Sequence, residues 1–482
     1  MSPTKTLRTE RSARESVDSG RRFTSSASLL ESAVTPNDVF RRWFADQRVR
    51  NRFEVNRIPF KDMRGWQFHP ETGNLGHTSG RFFTVEGLRV ETNWGHHSSW
   101  AQPIINQPEI GILGIVVKEF DGVLHCLMQA KMEPGNLNTI QLSPTVQATR
   151  SNFTGVHGGR GITFIEYFRD PERGRVLVDS LQSEQASWFL RKRNRNMIVE
   201  VTEEVPPHED FVWLTVGQIH QLLLQDNIVN MDARTVLSCI PFDAPNGPAR
   251  CGSAGPFREG LVRSMSADQG SVHGTGEILS WLTDLKTRHA LVQRSVPLRE
   301  VEHWHVSADV IGHETGKYFT IIAADVQAPN REVSSWTQPL LAPVECGRVA
   351  MIVRRIDGVL HLLLRARLEA GVLNVAELGP TVQCLPGNFR DVPEEQRPPF
   401  LDLVLRAEPG RLRYDVVQSE EGGRFHHAEN RYQIIEVGEE FDLEEPPGFR
   451  WMTVNQMTVL LAHSNYLNIQ TRSLLAGLHT IW

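Results

Sequence analysis

From residue 110 to residue 132 the chain runs IGILGIVVKEFDGVLHCLMQAKM, two apolar stretches separated by a charged step and an Asp-Gly pair. Asp-Gly between two such runs predicts a β-hairpin, because a two-residue hairpin turn needs positive φ at both central positions. The stretch VAMIVRRIDGVLHLLLRARL at 349–368 repeats the pattern and predicts a second hairpin. Helical spacing appears elsewhere. NDVFRRWFADQRVR (37–50) and GEILSWLTDLKTRH (276–289) set apolar residues three and four apart, with a Trp on each apolar face. TVGQIHQLLLQ (215–225) and TVNQMTVLLAH (453–463) open on Thr, whose hydroxyl caps a helix N-terminus, and continue with leucines at helical spacing. Strand and helix signals mixed in this way predict an α+β fold with mixed sheets flanked by helices.

Every one of these elements occurs twice. Between residues 121–147 and 357–383, 16 of 27 aligned residues are identical at an offset of 236. GHTSGRFFTVE (76–86) answers GHETGKYFTII (312–322), SSWAQP (98–103) answers SSWTQP (334–339), and DSLQSEQASWF (179–189) answers DVVQSEEGGRF (415–425). At both ends the offset becomes 238, pairing Trp66 with Trp304 and FVWLTVGQIHQLLLQDNIVN (211–230) with FRWMTVNQMTVLLAHSNYLN (449–468). The chain is an internal duplication, and its period is far too long for a solenoid. Residues 37–242 and 276–482 read as the two repeats. The Gly/Pro/Ser-dense stretch 243–275 reads as a linker, and the polar Arg/Ser-rich start, 1–36, as a disordered tail.

Composition narrows the function classes. A net charge of −6 argues against nucleic-acid and anionic-membrane partners, and no apolar run is long enough to span a bilayer. Five cysteines without a CxxC pair fit a reducing cytoplasm and no disulfide framework. The sequence has no GxGxxG after a strand, no P-loop, no GxSxG elbow and no HExxH.

What remains is a set of polar residues present in both copies. Lys131 and Arg367 end an apolar strand with a cation; Gln147 and Gln383 follow Thr-Val; Asn152 and Asn388 lie five residues on. Gln182-Ser183-Glu184 recurs as Gln418-Ser419-Glu420, and Asn194-Arg195 as Asn430-Arg431. Buried amides and charges cost several kcal/mol unless paired, so such a set is either a ligand site or a structural hydrogen-bond network. Amide, hydroxyl and guanidinium groups at strand ends suit a sugar and a diphosphate. Trp66 and Trp304 fit either a stacking face for a base or a core position. His125 and His361, on apolar strands, read as satisfied core histidines. The adjacent pairs in GHH (95–97) and FHH (425–427) cannot both face one site from a regular element.

The paired SSWxQP motifs, PTVQ followed by Asn-Phe, and the segments QSEQASWFLRKRNRNMIVEV and QSEEGGRFHHAENRYQIIEV resemble the NDP-hexose 2,3-dehydratases of antibiotic deoxysugar pathways. The resemblance covers roughly 37–482, apart from the linker. It implies two tandem Nudix-hydrolase-like domains, a homodimer, and dTDP-4-keto-6-deoxyglucose as substrate. The Nudix metal signature has no counterpart after either hairpin, so neither metal ligands nor a cofactor is expected. The implied chemistry removes the C3 proton, acidified by the C4 ketone, and expels the C2 hydroxyl with help from an acid. The product is a 3,4-diketo-2,6-dideoxy sugar nucleotide, to be consumed by a separate NADPH-dependent 3-ketoreductase.

The second QSE segment holds more ionisable groups, so Glu420, Glu421 and His427 are the expected proton carriers. Gly422 and Gly423 would let a phosphate approach the backbone and Arg424 would neutralise it. The other positions expected to contact substrate are Trp66, Lys131, Gln147, Thr149, Arg150, Ser151, Asn152, Phe153 and Ser187 in the first copy. In the second they are Trp304, Arg367, Gln383, Cys384, Leu385 and Asn388. The rival readings are a non-catalytic sugar-nucleotide-binding protein and an epimerase working through the same enolate.

Overall fold

In the computed structural model, residues 19–51, 53–95, 97–149, 161–243, 255–266, 270–328 and 333–481 are described. They form an α+β molecule of two similar halves with four sheets. The predicted hairpins are present: Gly111–Phe120 pairs with Val123–Met132, and Gly347–Ile356 with Val359–Arg367. Asp121 and Gly122 have φ of 48° and 81°, and Asp357 and Gly358 of 49° and 80°, the left-handed pair that such a turn requires. Each hairpin is the centre of a seven-stranded sheet. That sheet is mixed, because Arg193–Glu200 runs parallel to Gly111–Phe120, and Glu429–Glu436 parallel to Gly347–Ile356.

The Thr-opened helices Val216–Leu223 and Val454–Leu461 cover these sheets. Each starts with a reciprocal capping box, Thr215 with Gln218 and Thr453 with Gln456. Val216, Ile219 and Leu223 pack on the first hairpin, and Val454, Met457 and Leu461 on the second.

The two smaller sheets are five-stranded and antiparallel, and each borrows a strand from the opposite half. Glu54–Ile58 pairs with Phe319–Gln327, and its equivalent Leu291–Val296 pairs with Thr84–Thr92. The exchange is reciprocal. Between the small sheets lies a shared core in which Phe60, Trp66 and Phe189 pack with Leu298, Trp304 and Phe425. Trp66 and Trp304 are 8% and 9% exposed, so the core position, not the stacking face, is the one they hold. Each meets a His edge-on at 5.4 Å, His77 and His313 respectively.

Two expectations about order need correction. Residues 19–27, assigned to the tail, are helical: Phe23 is fully buried, and Ser26 Oγ accepts from Val216 N at 2.9 Å. The linker contains the matching helix Pro256–Met265, with Leu261 fully buried and Ser264 Oγ accepting from Val454 N at 2.8 Å. Each repeat therefore begins with a short helix docked on its Thr-capped helix. Several of the buried positions are themselves Ser or Gly (Ser19, Gly20 and Ser26; Gly260 and Ser264), which is why composition alone reads as tail or linker. Residues 1–18, 244–254 and 267–269 lie outside the described set.

Candidate functional site

The QSE segments close strands Arg175–Ser183 and Leu412–Ser419, and the loops that follow cross to the opposite half. Gly135 N donates to Gly422 O at 2.7 Å, and His427 N to Gly135 O at 2.7 Å; Gly371 N donates to Ala186 O at 2.6 Å, and Arg191 N to Gly371 O at 2.7 Å. Only glycine fits these crossings. A Cβ on Gly135 would lie 1.6 Å from Phe425 O, and one on Gly371 1.9 Å from Phe189 O. Residues that align within one repeat are thus parted, and two composite sites result.

The first joins Lys131, Glu133, Gln147, Asn230 and Asp232 to the loop Glu421–Arg424. Gln147 is clamped: its Nε2 donates to Glu133 Oε1 at 2.6 Å, and its Oε1 accepts from Asn230 Nδ2 at 3.1 Å. Lys131 Nζ donates to Gln147 O at 3.1 Å. Arg424 donates to Gln107 Oε1 at 3.2 Å and lies 4.5 Å from the Phe83 ring centroid. Burial, then the Glu133 and Glu184 charges, push Glu421 up to about 7 against the pull of Arg424. Burial, with the Glu184, Glu133 and Glu421 charges behind it, raises Asp232 well above the carboxylate range. Burial also brings Lys192, close to Glu184 and Glu421, down to about 8.

The second joins Arg367, Glu369, Gln383 and Asn468 to the loop Gln185–Trp188. Ser187 Oγ donates to Glu369 Oε1 at 2.6 Å, Gln383 Nε2 to the same oxygen at 3.1 Å, and Asn468 Nδ2 to Gln383 Oε1 at 2.8 Å. The clamp, with its Glu133 or Glu369 and its strand-end cation, is shared, but three further ionisable groups are not. Glu421 has Gln185 as its counterpart, Asp232 has Gln470, and Arg424 has Trp188. At the positions of Glu421 and Asp232 the first site has carboxyls and the second has amides, while Glu133 and Glu369 are common to both and Glu377 stands where the first half has Gln141.

The remaining expected residues scatter. Glu420 is 1% exposed with both oxygens taken: Asn430 Nδ2 and Tyr432 OH donate to Oε1 at 2.6 and 2.7 Å, and Gln185 Nε2 to Oε2 at 2.9 Å. His427 is exposed and stacks on His426 at 3.9 Å. The space beside Gly422 is filled by Asn136 and Glu133, so that glycine admits the opposite half's turn where a phosphate was expected. Thr149 follows the strand Val146–Ala148, and Cys384 ends Val382–Cys384 with Leu385 next to it. Asn388 Oδ1 accepts from Tyr318 N at 3.1 Å. Arg150, Ser151, Asn152 and Phe153 lie outside the described residues. His125 and His361 are buried and bonded, to Ser32 Oγ at 2.7 Å and Val272 N at 3.1 Å. Sequence reasoning missed Glu133 and Asp232. Glu133 and Glu369 are identical within the strongest repeat match, a usable signal; Asp232 carries none, since its counterpart is Gln470. Among the described residues no group of three His, Cys, Asp or Glu side chains is arranged to hold a metal ion.

The profile of the NDP-hexose 2,3-dehydratase family matches twice, at 37–240 and 275–478, and the chain belongs to that family. It is 56% identical over 465 residues to the dTDP-4-dehydro-6-deoxy-alpha-D-glucopyranose 2,3-dehydratase of Saccharopolyspora spinosa, covering 96% of this chain and 95% of the relative. Enzymes of the same name from Amycolatopsis orientalis and Streptomyces violaceoruber are each 48% identical. The first match covers 96% of this chain and 94% of that relative, the second 93% and 98%.

Proposed function

We propose that the protein is a dTDP-4-dehydro-6-deoxyglucose 2,3-dehydratase, a hydro-lyase that takes the C3 proton and the C2 hydroxyl from its substrate. The C4 ketone lowers the barrier to C3 deprotonation, and donors on its oxygen stabilise the enolate by about 3 kcal/mol each when well placed. Elimination of the C2 hydroxyl, β to the carbonyl, requires a proton. The C2=C3 enol then tautomerises to the 3,4-diketone. We place this chemistry in the first composite site, with Glu421 as a proton carrier and Lys131 and Arg424 as counter-charges for the anionic substrate. The observation that carries this choice is the replacement of Glu421 and Asp232 by Gln185 and Gln470 on the other side. Amides cannot trade protons near neutral pH. The second site keeps Arg367, Glu369, Gln383 and Ser187, a set suited to holding a sugar nucleotide without transforming it.

A Nudix-like ancestry for each repeat is supported by the paired mixed sheets, and a homodimer belongs to the same reading. No helix among the described residues is long and apolar enough to cross a membrane. The test is incubation with dTDP-4-keto-6-deoxyglucose, with and without a 3-ketoreductase and NADPH. Loss of the C2 hydroxyl in both arms, trapped as the reduced product in the second, is expected. Epimerisation at C3 or an unchanged substrate would overturn the reading.

A further inference from the structure

The pseudo-symmetry of the two QSE loops maps one hydrogen bond onto a pair that cannot form it. On one side Gln185 Nε2 donates to Glu420 Oε2 at 2.9 Å. The equivalent of Gln185 is Glu421, and the equivalent of Glu420 is Glu184. Two carboxyls therefore occupy the places of an amide and a carboxylate, and ionised carboxylates have no hydrogen to put between them.

Each of the two has one oxygen satisfied and one left over. Glu184 Oε1 accepts from Asn194 Nδ2 at 2.8 Å, and Glu421 Oε1 from Gly423 N at 3.0 Å. Glu184 Oε2 and Glu421 Oε2 are both buried without a hydrogen-bond partner. One proton would satisfy both.

We propose that Glu184 and Glu421 share a proton across the boundary between the halves, which keeps Glu421 protonated as the acid for the departing C2 hydroxyl. The assignment rests on the dehydratase reading of the first composite site. In the step itself the Glu421 O–H bond breaks and its proton joins the C2 oxygen. The C2–O bond breaks, water leaves with that electron pair, and the enolate electrons close C2=C3. Glu421 is left as a carboxylate and takes its next proton from solvent. Glu184 is a positioning residue here, acting through Glu421. Like charges that cannot both ionise raise one of the two pKa values. The surrounding charges do not cancel this: Glu133, Asp232 and Arg424 face Glu421, and Glu420, Lys192 and Arg472 face Glu184. Both members are shifted in the direction of protonation.

The test uses the full chain. Glu184→Gln should replace the shared proton by an amide–carboxylate bond, with donor and acceptor exchanged relative to Gln185 and Glu420, and so release Glu421 to ionise earlier. The alkaline limb of the kcat–pH profile should move down by about one unit or more, with about tenfold lower turnover at neutral pH that recovers on acidification. Glu184→Asp should keep the limb near its original position. A limb that Glu184→Gln leaves in place would overturn the proposal. Infrared titration gives a readout independent of turnover. Read in an Asp232→Asn background, which removes the site's other raised carboxyl, the protonated-carboxyl band that persists near neutral pH should weaken by one carboxyl in both Glu184→Gln and Glu421→Gln. Gln185→Glu, which builds the same pair on the other side, should add a second such band. If wild type dehydrates nothing, the functional reading fails while the band still decides the shared proton; if Glu184→Gln and Glu421→Gln leave the band at full strength, the dyad fails alone.

Discussion

Arg234 of the first repeat donates to the backbone carbonyl of Ser419 in the second, at 2.7 Å. Its counterpart Arg472 makes the mirrored bond to Ser183 O. Both guanidiniums are 1% exposed or less, and each also holds a carbonyl at the start of its own helix, Val229 O and Leu467 O. Each arginine thus fixes the root of the loop that the opposite repeat sends across. Replacing either by Met leaves two buried carbonyls unpaired, at about 1–3 kcal/mol each. Urea unfolding should show that loss for both variants. Arg234→Met should in addition lower turnover, because the Glu421 loop springs from Ser419.

The two loop crossings offer a cleaner separation. Gly135→Ala must push the Glu421–Phe425 loop away from the first site, and Gly371→Ala the Gln185–Phe189 loop away from the second. Steady-state kinetics should show turnover falling at least about a hundredfold for Gly135→Ala, the scale of a misplaced catalytic group. The Gly371→Ala change should act mainly on nucleotide binding measured by calorimetry.

Glu421→Gln should lower kcat by about 10²–10⁴ with little change in melting temperature. Ser187→Ala, in the equivalent loop and bonded to Glu369, should leave kcat within a few-fold. The opposite ranking would mean that the second composite site is the reactive one.

Strand exchange has its own signature. Asn56 pairs with Asp325, so Asn56→Pro removes a donor and a favoured backbone conformation from the edge of the other half's sheet. Hydrogen exchange should accelerate in Phe319–Gln327, while Thr84–Thr92 in the proline's own repeat keeps its protection.

Acid sensitivity follows from two histidines flanking Phe242. Burial lowers His220 and His479 to about 3 each. The unfolded chain protonates them near 6.5, so it binds more protons than the folded one in between. Their stabilising contribution is complete above about pH 6.5 and is lost as pH falls towards 3, at up to about 1.4 kcal/mol per pH unit for each ring. Denaturation series at pH 7 and pH 5 should differ accordingly, and His479→Leu should flatten the dependence.

How much of this was written in the sequence depends on what a repeat can say. Alignment at an offset of 236 identified Lys131, Gln147, Arg367 and Gln383 as paired polar residues, and the hairpins and Thr caps were legible from local chemistry. Alignment says which residues are equivalent, however, and not which copy they face. Glu421 meets Glu133 and not Glu369 because a loop crosses at Gly135, a tertiary choice with no local signature. Asp232 was invisible because its importance lies in differing from Gln470. Trp66 and Trp304 were ambiguous for a related reason: the surface that buries them is supplied jointly by the two repeats.

The reciprocal exchange of Glu54–Ile58 and Leu291–Val296 also bears on descent. A lone repeat would have a small sheet one strand short and a QSE loop with nothing to cross to, so its stable form is a pair of chains, each completing the other. Two repeats joined head to tail place both partners of such a pair in a single polypeptide. In a symmetric pair every mutation strikes both sites at once. In a single chain each site carries its own copy of every position, so Gln185 and Glu421 can differ.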